Sequence, residues 1–221
     1  MKVMILAAGR GQRMGGLTEH CPKPLLKING CSLIEHHIRR LKQHGFNQFV
    51  INVAYLAKQI KQALGTGQQW GVNIEYSDEG DTALETGGGI HKALPLLGEG
   101  HFLLVNADVW SDIAYASLRS KVDNKIHLVL VENPDHHTAG DFELNDGLVV
   151  EGEGERYTYS GIGVFHPGIF AGQRPGIFPL APLICQQIAN AEVSAQLHRG
   201  AWLDVGTPER LAQAQSLILS Q

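Results

Sequence analysis

Three cysteines in 221 residues, Cys21, Cys31 and Cys185, form an odd set with no metal-ligand spacing, so neither a disulfide framework nor a thiolate metal centre is expected. No apolar run approaches the roughly 20 residues of a membrane span, and the short apolar start reads as a core strand rather than a signal peptide. A cytoplasmic protein with no membrane partner is the expectation. Lysine- and arginine-rich stripes are missing too, and a net charge of −4 with a pI near 6.2 argues against a nucleic-acid partner. No Gly-Lys-Ser or Gly-Lys-Thr follows a glycine turn, which excludes a P-loop. Met14 stands where a dinucleotide fingerprint needs its third glycine, and the second strand, Val50-Ile-Asn-Val53, ends without an acid. No Ser-His or Cys-His pairing suggests a covalent intermediate. The eleven histidines include two adjacent pairs, His36-His37 and His136-His137, whose members diverge on a helix or strand, so they read as solvated or capping side chains.

What is present is concentrated near the N-terminus. An apolar strand, Val3 to Leu6, leaves through Ala8, Gly9, Gly11 and Gln12, and glycines there let backbone N–H groups approach an anion. The same loop brings two fixed cations, Arg13 and Lys23, the lysine held between Pro22 and Pro24. Such a loop suits a nucleoside triphosphate.

Beyond it, apolar strands alternate with helical periodicity, the pattern of a largely parallel sheet with helices on both faces. Ser32 and Glu35 predict a capping box for a helix ending near His44, with Gly45 as its stop. Strands are expected at Phe49–Val53, Val72–Tyr76, Phe102–Asn106 and His127–Val131, and helices at Ala54–Leu64, at Gly87–Leu94 before Pro95, at Leu180–Ala191 and from Pro208 to about Leu219. Between Asn133 and Tyr159 the chain turns polar, and Asn145-Asp-Gly147 predicts a hairpin inserted beside the sheet, a natural place for a second substrate. Asp108 ends an apolar strand and Asp204 precedes a helix cap; ligands of open parallel sheets gather at such strand ends.

The segment Leu6-Ala-Ala-Gly-Arg-Gly-Gln-Arg-Met14, then Leu17-Thr18 and Pro22-Lys-Pro-Leu25, resembles the signature of the sugar-phosphate nucleotidyltransferases. It departs at Gly16, preceded by Gly15, where the family usually has proline; a loop that is floppy until nucleotide binds is expected. Leu84-Glu-Thr-Gly-Gly-Gly-Ile90, Asn106-Ala-Asp108-Val-Trp110, Gly140-Asp-Phe142 and Tyr159-Ser-Gly-Ile162 extend the resemblance over nearly the whole chain, toward single-domain members acting on N-acetylmuramate, glucose or mannose 1-phosphates.

The resemblance implies an α/β fold: one Rossmann-like (GT-A-type) three-layer domain over residues 1–221, with a mostly parallel sheet, a small hairpin insertion and no C-terminal left-handed β-helix. It implies transfer of UMP from UTP to a sugar 1-phosphate, N-acetylmuramate 1-phosphate first and glucose or mannose 1-phosphate as alternatives, by a monomer or small homo-oligomer. Asp108 and Asp204 would share one Mg2+, Lys23 would neutralise both substrates, and Arg13 would hold the departing pyrophosphate. Gly80, Gly87 and Gly88 would join the first loop around the nucleotide, and Asn106, Gly140, Asp141 and Ser160 would meet the sugar. A sensor that kept the fold but lost turnover is disfavoured, because Arg13, Lys23, Asp108 and Asp204 are all present.

Overall fold

Alternation along the first strand sets the architecture. In β1 (Val3–Leu6), Val3 and Ile5 enter one apolar cluster and Met4 the opposite one, so the strand is buried on both faces. The computed structural model describes residues 1–219. After β1 come β2 (Lys27–Ile28) and β3 (Cys31–Ser32), a short ribbon ahead of α1 (Leu33–Gln43). There follow β4 (Gln48–Val53), α2 (Ala57–Leu64), β5 (Asn73–Asp78), α3 (Glu85–Leu97) and β6 (Phe102–Asn106). The second part holds β7 (Val109–Ser111), β8 (Ile126–Val131), β9 (Phe142–Asn145), β10 (Leu148–Val150), β11 (Arg156–Phe165), α4 (Ala181–Ala189), β12 (Val193–His198), β13 (Trp202–Asp204) and α5 (Pro208–Leu219).

Among the described residues the main sheet has nine strands in the order β5-β4-β1-β6-β11-β8-β12-β10-β9. Side chains of α1 and α2 pack on one face and those of α3 and α4 on the other, which makes three layers. The expectation of a mostly parallel sheet needs correcting. Strands β5, β4, β1 and β6 are parallel, but β11 runs antiparallel to both β6 and β8, and β10 antiparallel to β12 and β9. The hairpin β9–β10 is therefore no insertion beside the sheet. It extends the sheet edge, with β9 also pairing β11.

Local signals held where chemistry was local. Ser32 Oγ accepts from the Glu35 N–H, and Glu35 Oε2 accepts from the Ser32 N–H at 2.8 Å, the expected capping box. Pro95 does not end α3, which runs on to Leu97 and stops at Gly98. Pro95 removes one hydrogen bond in the last turn, and burial of Leu97 on the face shared with Ile90 and Ala93 offsets that loss.

Candidate active site

The order β5-β4-β1-β6 puts β1 between two neighbours reached by crossovers in opposite directions, so a crevice opens at the carboxyl ends of β1 and β6. The loops leaving those ends line a cleft of about 540 Å3: Ala8, Gly9, Gly11, Gln12, Arg13 and Lys23 from the first, Asn106 and Asp108 from the second. Gly11 has φ +66, and a Cβ there would lie 3.0 Å from Lys23 Cβ and 3.1 Å from Thr18 Cγ2, so the turn closes only over a glycine. Thr18 Oγ1 donates to the carbonyls of Gly11 and Gly15 at 3.0 and 3.2 Å, tying the 3-10 turns of Gln12–Thr18 together. Gly15, at φ +57, needs its freedom; Gly16 lies inside the turn with open space around its Cα. The turns of Gln12–Thr18 are thus internally hydrogen-bonded.

Lys23 is buried, and its Nζ donates to Asp108 Oδ2 at 2.5 Å, a pairing that offsets the cost of desolvating the ammonium. Asp204 accepts from Arg210 Nη1 at 2.9 Å. The two acids sit on adjacent backbone: β13 pairs with β7 so that Asp204 faces Val109, and the Val205 N–H donates to the Asp108 carbonyl at 2.8 Å. Both carboxylates line a second cleft of about 400 Å3, which shares Arg13, Asn106 and Asp108 with the first. Among the described residues no group of three His, Cys, Asp or Glu side chains forms a ready-made cage. Two hard carboxylates facing a cleft where phosphate oxygens would complete the coordination do fit a magnesium ion. Behind them His37 is buried, and among the described residues its Nε2 has no hydrogen-bond partner. Burial pushes the ring down to about 4 against the pull of Asp108.

The wall opposite the first loop is a network. Asn52 Oδ1 accepts from the Ala7 N–H at 2.8 Å, Asn52 Nδ2 donates to Glu79 Oε1 at 2.7 Å, and Glu79 Oε2 accepts from the Leu84 N–H at 2.7 Å. Buried Asn52 and Glu79 so connect the glycine loop to the approach of α3, and Glu85 and Thr86 carry the wall onward. Gly80, Gly87 and Gly88 lie elsewhere. Gly80 is exposed and donates to Asp78 Oδ1. A Cβ on Gly87 would come within 2.5 Å of the Phe178 ring, and one on Gly88 within 2.1 Å of the Gly176 carbonyl, while the Gly88 N–H donates to Phe178 O. These two glycines permit close packing of α3 on the 176–179 segment.

Second-cleft residues come from five stretches of the chain: Arg13, 106–109, His136 and His137, 158–161, and Trp202 with Asp204. The pairing of β11 with β8 shifts register between Tyr159 and Gly163; Gly161, at φ +78, presses against the Asn106 side chain, so the irregularity aims β11 at the end of β6. Ser160 is wholly buried, its Oγ accepting from the Ile162 N–H and its carbonyl from the Trp202 indole N–H. Gly140 and Asp141 are placed outside the cleft lining. Asp141 accepts from the Tyr159 N–H at 2.8 Å and meets His137 Nε2 at 2.9 Å, so it holds groups that do face the cleft. His136 and His137 keep the solvated character expected of them, their side chains 44% and 39% exposed. They also border the second cleft, because the 133–138 loop folds back over β11 through Asn133, which donates to the Arg156 carbonyl and accepts from Thr158 Oγ1. His37, read in the same way, is instead buried. Arg13 borders both clefts, and Lys23 borders the first while its ammonium sits on Asp108, which borders both.

The two clefts meet at Arg13, Asn106 and Asp108, and the chain belongs to the nucleotidyl transferase family, which it matches over residues 2–158. The chain is 48% identical over 226 residues, 98% of each chain, to the N-acetylmuramate alpha-1-phosphate uridylyltransferase of Neisseria meningitidis serogroup B. It is 35% identical to the enzyme of that name from Caulobacter vibrioides, across 97% of this chain and 96% of the relative. Its fold matches that of the inositol-1-phosphate CTP transferase from T. maritima with a TM-score of 0.82 at 17% identity, covering 99% of this chain and 94% of that one. Among the described residues no helix is long and apolar enough to cross a membrane.

Proposed function

We propose that the chain transfers UMP from UTP to N-acetylmuramate 1-phosphate and releases pyrophosphate. One observation carries the assignment of parts: the two clefts meet at Arg13, Asn106 and Asp108, so a nucleotide in the first and a sugar phosphate in the second would face each other there. The near full-length likeness to the Neisseria relative supports the choice of substrates.

A phosphate monoester has its second pKa near 6, so its attacking oxygen is ionised at neutral pH and needs no general base. That oxygen forms the new bond to the α-phosphorus as the bond to the β-phosphate oxygen breaks, and pyrophosphate leaves with the electron pair. Repulsion between two anions is the obstacle, and in-line positioning with charge neutralisation is the remedy. Arg13, bordering both clefts, lowers the repulsion between the reacting phosphates, while Lys23 holds Asp108 in place and faces the triphosphate. Asp108 and Asp204 would hold Mg2+, which would supply Lewis-acid neutralisation of phosphate charge when bound. The glycine-loop backbone receives the β- and γ-phosphates. The test is pyrophosphate release from four nucleoside triphosphates, each with muramate-, glucosamine-, glucose- and mannose-type 1-phosphates. The highest kcat/KM is expected for UTP with N-acetylmuramate 1-phosphate, and a higher value for any other pair overturns the substrate assignment.

A further inference from the structure

Asn52 and Glu79 form a strut between the two walls of the first cleft, from the Ala7 N–H to the Leu84 N–H. The third glycine of the run before Ile90 makes room for it, since a Cβ on Gly89 would lie 2.5 Å from Glu79 Oε1 and 3.0 Å from Asn52 Nδ2. Both oxygens of buried Glu79 are taken, Oε1 by Asn52 Nδ2 and Oε2 by the Leu84 N–H. The Leu84 carbonyl in turn accepts from the Phe178 N–H at 3.3 Å. With both peptide groups of Leu84 so held, the chain enters α3 through a left-handed turn at Glu85, φ +58.

Among the described residues Glu85 is the one non-glycine residue of positive φ that lines the first or the second cleft. A side chain in this conformation is strained, and such strain persists at ligand sites where the surroundings over-determine it. Glu85 is exposed, and among the described residues its carboxylate makes no hydrogen bond or ion pair. Arg13, Lys23 and the glycine turns draw phosphate to the opposite wall, while two carboxylates repel it from this one, so the wall of Glu79 and Glu85 meets the uncharged end of a nucleotide. Glu79 has no oxygen left for that end, and Glu85 has two.

Resting on the uridylyltransfer reading, we propose that Glu85 is a specificity-determining residue whose carboxylate accepts the imide N–H of the uracil ring, with Glu79 and Asn52 as the positioning pair that holds it there. Uracil carries a hydrogen on N3, between its two carbonyls, whereas cytosine presents a lone pair at that atom. An ionised carboxylate only accepts, so it bonds the first base and repels the second. The strained turn at Glu85 thereby exchanges some backbone stability for the choice of base.

The experiment compares kcat/KM for UTP, CTP and 2′-deoxy-UTP, each with N-acetylmuramate 1-phosphate, in the wild type, Glu85→Gly, Glu85→Gln and Glu79→Gln, with thermal unfolding measured beside it. The wild type should prefer UTP to CTP. Glu85→Gly, which removes the acceptor and relieves the backbone, should cut that preference by about 10- to 100-fold while melting at the same temperature or higher. Glu85→Gln, whose amide can offer an N–H to cytosine N3, should use CTP better than the wild type does. Glu79→Gln sets an NH2 group against the Leu84 N–H or the Asn52 amide, and should lower the preference in the same direction by less. The ratio of UTP to 2′-deoxy-UTP should stay at its wild-type value throughout. An unchanged preference in Glu85→Gly, or an equal loss on UTP and CTP, would mean that the carboxylate does not meet the base, and a shifted 2′-deoxy ratio would place it on the ribose; each overturns the proposal. A wild type active on UTP and CTP alike overturns the role of Glu85 alone, whereas one that releases pyrophosphate from none of the three nucleotides overturns the transfer reading itself.

Discussion

The parallel half of the sheet, β5-β4-β1-β6, and the mixed half from β11 to β9, in which β8 and β12 alone pair in parallel, build their parts of the site differently. In the parallel half, residues close in sequence do most of the work: Ala8 to Arg13 and Lys23 leave one strand and stay together. In the mixed half, His136, Thr158 and the β13 residues Trp202 and Asp204 come from three segments and meet only because β11 bends at Gly161 and β13 pairs with β7. One half binds by a loop motif and the other by topology, so a substitution in the first should act on the nucleotide and one in the second on the sugar, with the junction answering to both.

The largest effect is expected at the junction. Asp108→Asn and Asp204→Asn should each lower turnover by on the order of 10²-fold or more, with folding preserved, since both carboxylates are assigned to one ion. Near-normal pyrophosphate release by either variant at limiting magnesium would break the shared site into two.

Next come the two cations. Arg13→Ala should weaken UTP binding and raise KM for the sugar phosphate together, by about 10-fold or more each, because Arg13 borders both clefts. Lys23→Ala should strike UTP affinity and turnover while sparing sugar-phosphate KM. Titration with UTP alone, set beside sugar-phosphate kinetics, separates them; identical profiles for the two variants would erase the distinction.

A smaller effect sharpens the role of the glycines in α3. Gly88→Ala drives a methyl into the Gly176 carbonyl, and overpacking of this kind costs about 1–3 kcal/mol, so the melting temperature should fall before UTP affinity does. Loss of UTP affinity at unchanged stability would instead place the glycines at the base.

Smallest of all is the contrast inside the first loop. Gly15→Ala, forced to φ +57, should destabilise by about 1 kcal/mol, whereas Gly16→Pro should be neutral or stabilising by up to about 1 kcal/mol. Chemical denaturation of both variants reads the difference. Equal losses would show that Gly16 also needs glycine.

The same contrast explains what could be read from the chain alone. The capping box at Ser32, the hairpin turn at Asn145-Asp-Gly147 and the anion loop each depend on neighbours a few residues apart, so composition and spacing reveal them. The direction of β11 does not: an apolar run looks the same paired parallel or antiparallel, and the sheet was expected to be more parallel than it is. Gly87 and Gly88 mark a close approach, but the sequence does not say that Phe178 and Gly176 make it. His137 has a legible partner in Asp141, four residues on, whereas His136 meets Arg210 far along the chain, a pairing that no local pattern reveals. Arg210, in the first turn of α5, resembles any helix-surface arginine until Asp204 and His136 close on it.

The division of labour between the halves is tested most directly by one paired titration. Gln12 lines the first cleft and not the second, and His137 the second and not the first. Calorimetric UTP binding without sugar, measured beside sugar-phosphate KM, should show Gln12→Ala losing UTP affinity by about 3- to 10-fold at unchanged sugar KM. His137→Ala should raise the sugar KM by about 10-fold while binding UTP like the wild type. Loss of UTP affinity in His137→Ala as large as that in Gln12→Ala would contradict the account.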